Sequence, residues 1–90
     1  ARMRRVLVLG ATSAIASEVA VLHARRGDRL HLVGRSPEKL ARLAARLAGG
    51  EISTEQVDFS DLERCEAVVA RAVAALGGVD TALVTEFPAR

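Results

Sequence analysis

The stretch RVLVLGATSAIASEVAVLHARRGD, residues 5–28, decides the fold. It joins a continuously apolar run, Arg5 to Leu9, to a helical pattern through a single glycine, Gly10. An apolar run without alternation reads as a β-strand covered on both faces. The helix expected from about Ser13 to Arg26 carries Ile15, Val19 and Leu22 at i, i+4 and i+7, so these three are expected to share one buried face. Thr12 or Ser13 can cap its start. Arg25 and Arg26 place cations in the last turn, where they suit the helix dipole, and Gly27 ends it.

The same alternation continues along the chain. Asp28 leads into a second strand, RLHLV (residues 29–33). SPEKL (residues 36–40) opens a helix with Ser36 as N-cap, Pro37 at its first position and Glu38 in the first turn. Leu40, Leu43, Ala44 and Leu47 form its expected buried stripe, and Arg42 and Arg46 its solvated face. After Gly49-Gly50, EISTEQV (residues 51–57) is polar enough for an edge strand. Ser60-Asp61-Leu62-Glu63 is a capping box. Its helix runs to Leu76 with Leu62, Cys65, Val69, Val73 and Leu76 on one side, and Gly77-Gly78 stops it. VDTALV (residues 79–84) is a fourth strand, and Thr85 to Arg90 a tail.

A βαβαβαβ order implies an α/β fold: a Rossmann-like three-layer αβα arrangement on a four-stranded parallel sheet. Right-handed crossovers then give the strand order 3-2-1-4, with a ligand crevice between strands 1 and 4. Residues 1–90 form a single domain in this reading, with no internal linker.

Composition narrows the function. A chain of 90 residues buries only roughly 60–65% of its unfolded surface, so it is marginal without a partner. The net charge is +2, from 13 basic and 11 acidic residues. That balance, with two Phe and no Trp or Tyr, argues against a nucleic-acid partner. Cys65 is the only cysteine, which excludes an internal disulfide and a thiolate zinc site; it reads as a buried helix residue, and a cytoplasmic location fits. ARMRR before VLVLGATSAIA imitates a secretory leader cleaved after Ala14-Ile15-Ala16. The solid apolar run, Val6 to Leu9, is too short for that, and the helical pattern crosses the supposed cut. Met3 reads as the native start. No stretch approaches the roughly 18 apolar residues of a membrane span.

The loop after the first strand carries the chemistry. A dinucleotide loop uses three glycines: one for the tight turn, one for backbone approach to pyrophosphate, one for close helix–strand packing. Gly10 fills the first role. Ala16 can fill the third, and Ala14 puts a methyl group in the second. The free N–H groups of the helix start, with the hydroxyls of Thr12 and Ser13, still favour an anion. Read alone, the loop leaves a phosphate cradle and a plain βα turn equally open. At the end of the second strand, where NAD-binding proteins place Asp or Glu, this chain has Gly34-Arg35-Ser36. Arg35 can grip a 2′-phosphate through its planar fork, and Ser36 can add a hydroxyl; the alternative is a solvated loop arginine and a cap. Asp58, followed by Phe59, can accept from an adenine amino group or simply precede the capping box.

VLVLGATSAIA, HLVGRSPEKL, VDFSD and GGVDTALV, in that order, resemble the N-terminal half of a short-chain dehydrogenase/reductase over Arg5 to about Val84. The family's Thr-Gly-x-x-x-Gly-x-Gly loop falls on Leu9, Gly10, Ala14 and Ala16; Ser13 and Ile15 keep its usual residue types. The resemblance implies a cofactor site of Gly10, Thr12, Ser13, Ala14, Ile15, Arg35, Ser36, Asp58 and Phe59. Arg35 is similar to NADPH-preferring members, so NADP(H) is expected ahead of NAD(H), and Asp58 matches the adenine-contacting Asp. After its fourth strand the family carries Asn-Asn-Ala-Gly, where this chain has Val84, Thr85, Glu86 and Phe87. The family's catalytic Ser, Tyr and Lys come later. This chain has no Tyr, and its only Lys, Lys39, belongs to the second helix. His23 and His31 show no partner in the sequence for a triad or a metal site.

Two functions follow. One is the NADP(H)-binding portion of a short-chain oxidoreductase, inactive alone. The other is a non-catalytic assembly or regulatory module that keeps the fold without a nucleotide. The apolar fourth strand at a sheet edge further predicts a homo-oligomer.

Overall fold

The alternation is realised in the computed structural model, which describes residues 3–11, 13–47, 50–57 and 62–84, with the backbone alone for 62–65. The elements are β1 (Arg5–Leu9), α1 (Ala14–Arg25), β2 (Arg29–Gly34), α2 (Pro37–Arg46), β3 (Glu51–Gln56), α3 (Leu62–Leu76) and β4 (Thr81–Val84). The four strands form one sheet in the order β3-β2-β1-β4, and every pairing is parallel. Leu9 stands opposite both Val33 and Val84, and Gly34 opposite Gln56, so the carboxyl ends of all four strands lie along one edge. The sequence-predicted residues Thr12, Asp58 and Phe59, the Ser60-Asp61 cap, the side chains of Leu62 and Cys65, and the tail from Thr85 lie outside the described residues.

The pleat sends alternate residues to opposite faces. Val6, Val8, Leu30 and Leu32 join the buried residues of α1 and α2 in one cluster. Leu7, Leu9 and Val33 join Val57 and the buried residues of α3 in another. Leu40, Leu43 and Leu47 of the second helical stretch are buried as expected, while Ala44 is only half-buried.

The buried face of α1 is not the one its large residues predict. Ala16, Ala20 and Ala24 face the sheet with at most 1% exposure, whereas Ile15 is 73% and Leu22 59% exposed. A stripe of small side chains lets the helix backbone approach a covered sheet closely, and that packing overrides the apolar stripe beside it. The same rotation occurs in α3: Val68, Ala72 and Leu76 are buried, and Val69 and Val73 are turned outward.

Polar groups tie the amino-terminal edge of the sheet. Asp28 is fully buried. It accepts the Arg4 N–H at 2.9 Å and lies 2.7 Å from Nδ1 of His23, with the Arg26 guanidinium beyond. Burial raises its carboxyl pKa, but the Arg4 N–H, His23 and Arg26 outweigh that, so the net direction is below the usual value. Arg5 donates to the Gly77 carbonyl at 2.5 Å, and Arg29 to that of Leu76 at 3.3 Å. Both cations therefore sit on the carbonyl end of α3. No helix among the described residues is long and apolar enough to cross a membrane.

Candidate functional site

The chain leaves β1 for β2 on one side and returns to β4 on the other. The crevice outside the carboxyl ends of β1 and β4 is therefore the switch point at which open α/β sheets bind ligands. Gly10 makes the turn into this region with φ +79°, a conformation that costs an L side chain about 1–2 kcal/mol. The N–H groups of Gly10 and Ala11 both donate to the Val33 carbonyl at 2.9 Å. Ser13 caps α1, its hydroxyl accepting the Ala16 N–H at 3.2 Å. Ser17 Oγ lies 2.8 Å from the Ser13 carbonyl and 3.1 Å from that of Ala11. Ser17 was not singled out in the sequence; its position four residues after the cap was the available signal.

The first turn of a helix carries N–H groups that no helical carbonyl satisfies. Here Ser13 takes that of Ala16, while Ala14 and Ile15 are exposed at the helix start. An anion at this terminus meets the positive end of the dipole and one methyl group, that of Ala14. The methyl group of Ala16 is buried against the sheet and does not reach it. The loop thus combines the glycine turn at Gly10 with close helix–sheet packing at Ala16, and the Ala14 methyl group stands between them.

The second strand delivers Arg35 to the same edge. Arg35 is exposed, and its carbonyl accepts from Gln56 Nε2 at 3.1 Å, which ties the β2–α2 turn to β3. Gln56 escaped the sequence reading because only the register, Gly34 opposite Gln56, brings it there. Ser36 is the N-cap of α2, accepting the Lys39 N–H at 3.3 Å. The structure therefore gathers Gly10, Ser13, Ala14, Ile15, Arg35 and Ser36 along the carboxyl edge. A shallow cavity of about 260 Å³ between α1 and α2, lined by Ser17, Lys39, Arg42, Leu43 and Arg46, lies behind this edge.

Both histidines have partners the sequence did not disclose. His23 pairs with Asp28. His31, 5% exposed, lies between Ser53 Oγ, 2.7 Å from Nδ1, and Glu55 Oε1, 3.2 Å from Nε2. Glu55 is also held by Arg71 of α3, whose Nε donates to it at 2.6 Å. Burial raises the Glu55 pKa, but Arg71 and His31 outweigh it and hold the carboxyl below its usual range. An ionised Glu55 only accepts, so the bond between Nε2 and Glu55 is donated by the ring, while the Ser53 hydroxyl also reaches the Leu30 carbonyl at 3.4 Å. These contacts tie β2, β3 and α3 together. No group of three or more His, Cys, Asp or Glu among the described residues could hold a metal ion.

Comparison with known proteins agrees with this geometry. The short chain dehydrogenase family model matches residues 4–85. A hydroxysteroid 11-beta-dehydrogenase 1-like protein of Xenopus tropicalis is 37% identical over 79 residues, 84% of this chain and 28% of that protein. The glucose 1-dehydrogenase of Gluconobacter oxydans is 32% identical over 80 residues, 86% of this chain and 30% of its own. An NADH-dependent reductase solved in complex with NAD superposes with a TM-score of 0.79 at 27% identity, covering 90% of this chain and 35% of that one. The chain spans about a third or less of the length of these relatives. The parallel 3-2-1-4 sheet, the glycine turn after β1 and a family match from residue 4 to residue 85 lead to one conclusion: the chain belongs to the short-chain dehydrogenase family and spans its amino-terminal, nucleotide-binding part.

Proposed function

We propose that this chain binds a nicotinamide dinucleotide at the carboxyl edge of its sheet and prefers NADP(H) to NAD(H). The observation that carries the reading is the convergence of three features there: the Gly10 turn, the amino terminus of α1 and Arg35. In this reading the pyrophosphate rests on the first turn of α1, against Ser13, Ala14, Ile15 and the Thr12 hydroxyl. Arg35 pairs with the 2′-phosphate, assisted by Ser36, and no carboxylate stands at the end of β2 to repel it. Asp58 accepts from the adenine amino group, with Phe59 beside it. The bound nicotinamide supplies hydride chemistry. The chain has no Tyr and so lacks the proton-transferring pair of its family; it is inactive alone. A cytoplasmic setting fits the lone Cys65, and the apolar β4 edge supports self-association.

Calorimetric titration with NADPH and with NADH tests this. NADPH is expected to bind more tightly. Removing a charge-assisted contact costs about 1.5–3 kcal/mol, so Arg35→Ala should lose about tenfold or more in NADPH affinity and leave NADH unchanged. Failure of both nucleotides to bind would favour the second reading, a fold-keeping assembly or regulatory module. The Ala14 methyl group at the helix start is the feature that speaks for it.

A further inference from the structure

We infer that Ser53, His31 and Glu55 form a second, nucleophilic site that hydrolyses short-chain carboxylic esters, with Ser53 as nucleophile and His31 as general base. The inference rests on side-chain geometry at the β2–β3 edge and not on the nucleotide reading. The parallel register sets His31 opposite Ser53, and the strand period puts Glu55 on the same face as Ser53. Nδ1 of His31 lies 2.7 Å from Ser53 Oγ, and its Nε2 lies 3.2 Å from Glu55 Oε1. Both distances suit a nucleophile, a base and a carboxylate that orients the base. Glu55 is fixed in turn by Arg71 Nε at 2.6 Å. The competing acceptor for the Ser53 hydroxyl, the Leu30 carbonyl, is farther away, at 3.4 Å. Access differs among the three as such a site requires: Ser53 is exposed, His31 is 5% exposed and Glu55 is half-buried. Packing alone does not call for this set. His31 stands beside Leu7 in the sheet, where an apolar side chain would join the cluster of Leu7, Leu9 and Val33.

A place for the substrate adjoins the nucleophile. Ser53 lines a cavity of about 350 Å³ with Arg29, Glu51, Ile52 and Ala75. Arg29 and Glu51 pair across 2.7 Å, so the charges of the wall balance and the space suits a small, uncharged ester. A donor for the developing oxyanion is at hand, because β3 ends the sheet. The Val57 N–H bonds to the Gly34 carbonyl. Alternation along the strand turns the N–H groups of Glu55 and Ser53 the same way and sends that of Thr54 to the open edge, next to the nucleophile. In the reaction Ser53 Oγ attacks the ester carbonyl carbon, and its proton passes to Nδ1 of the neutral His31 ring. The Nε2 proton stays shared with Glu55, which Arg71 and His31 keep ionised. The bond from carbonyl carbon to alcohol oxygen breaks, and the alcohol leaves with the proton from Nδ1. Water then attacks the acyl-Ser53 ester, again giving a proton to Nδ1. The acid departs as Ser53 Oγ takes that proton back. No oxidant or reductant enters, so this hydrolysis is separate from hydride transfer.

The test treats the 90-residue chain with a fluorophosphonate, which bonds to an activated serine oxygen, and with 4-nitrophenyl acetate. The expected results are one label per chain, mapped to Ser53 by peptide mass spectrometry, and nitrophenolate release faster than from the urea-unfolded chain. Ser53→Ala, at an exposed position, should leave the chain folded by circular dichroism and abolish both. A general base contributes about 10²–10⁴-fold, so His31→Gln should slow labelling about a hundredfold or more. Glu55 acts as a positioning residue, and Glu55→Gln should lower kcat about tenfold or more while KM stays unchanged. A label on another residue would overturn the inference. So would labelling no faster than in the unfolded chain, hydrolysis unchanged in Ser53→Ala, or labelling indifferent to a folded His31→Gln. Should His31→Gln fail to fold, Ser53→Ala and Glu55→Gln decide, and unchanged kcat in either overturns the inference. All arms run without nucleotide, so calorimetry with NADPH reads the cofactor proposal separately.

Discussion

The Gly10 N–H donates to the Val33 carbonyl across 2.9 Å, so the loop after β1 hangs from the end of β2. The turn after β1 and the end of β2 that leads into Arg35 are therefore one mechanical unit. Gly10→Ala forces a side chain into the left-handed region. It should cost about 1–2 kcal/mol in urea denaturation and weaken NADPH binding in calorimetry. Unchanged affinity with reduced stability would separate the loop from the nucleotide.

Asp28 and Glu55 give stability an acid limb. Both carboxyls titrate below their reference values of 3.8 and 4.5 in the folded chain. A depressed folded pKa contributes stability above the unfolded value and loses it as pH falls through the folded one. Stability should therefore be fully present at pH 6 and fall below about pH 4. Asp28→Ala strips the buried partner from the Arg4 N–H and His23, and should cost about 1–3 kcal/mol at neutral pH. Denaturant melts of wild type and variant between pH 3 and 7 check both points; the variant should show a flatter acid limb.

The two stripes of α1 make opposite predictions. Ala20→Leu inserts bulk where exposure is 0% and should destabilise by about 1–3 kcal/mol. Leu22→Ser changes a side chain 59% exposed and should stay within about 0.5 kcal/mol. Thermal melts of the pair decide which face packs on the sheet.

Gly50 is required for closeness rather than for an unusual dihedral. A Cβ there would stand 2.8 Å from the Asp28 carbonyl oxygen and 3.3 Å from the Ala24 Cα, both backbone atoms. Gly50→Ala should therefore cost about 1–3 kcal/mol in urea denaturation, with hydrogen exchange faster near Asp28.

Much of this was legible in the sequence. Regular alternation of strand and helix, with Gly10, Gly27 and Gly77 as stops, carried the element order and the strand order. The Gly10 turn and the Ser13 and Ser36 caps were legible because turn and cap chemistry restricts residue type. The packed faces of α1 and α3 were not, because apolar periodicity ranks Ile15 and Leu22 above alanine, whereas close approach to a sheet favours Ala16, Ala20 and Ala24. The partners of His23 and His31 were hidden for another reason. Asp28 reaches His23 through a turn, and Ser53 and Glu55 meet His31 only through the parallel register of β2 with β3.

The parallel sheet has an electrical consequence. Each helix starts at the carboxyl edge and runs back, so the positive dipole ends of α1, α2 and α3 gather at one edge, while Arg5 and Arg29 offset the negative end of α3 at the other. The molecule is polarised along its strands beyond what a net charge of +2 conveys. An anionic ligand is drawn toward the edge that holds Gly10 and Arg35, and its association rate should fall steeply as salt is added while its dissociation rate changes little.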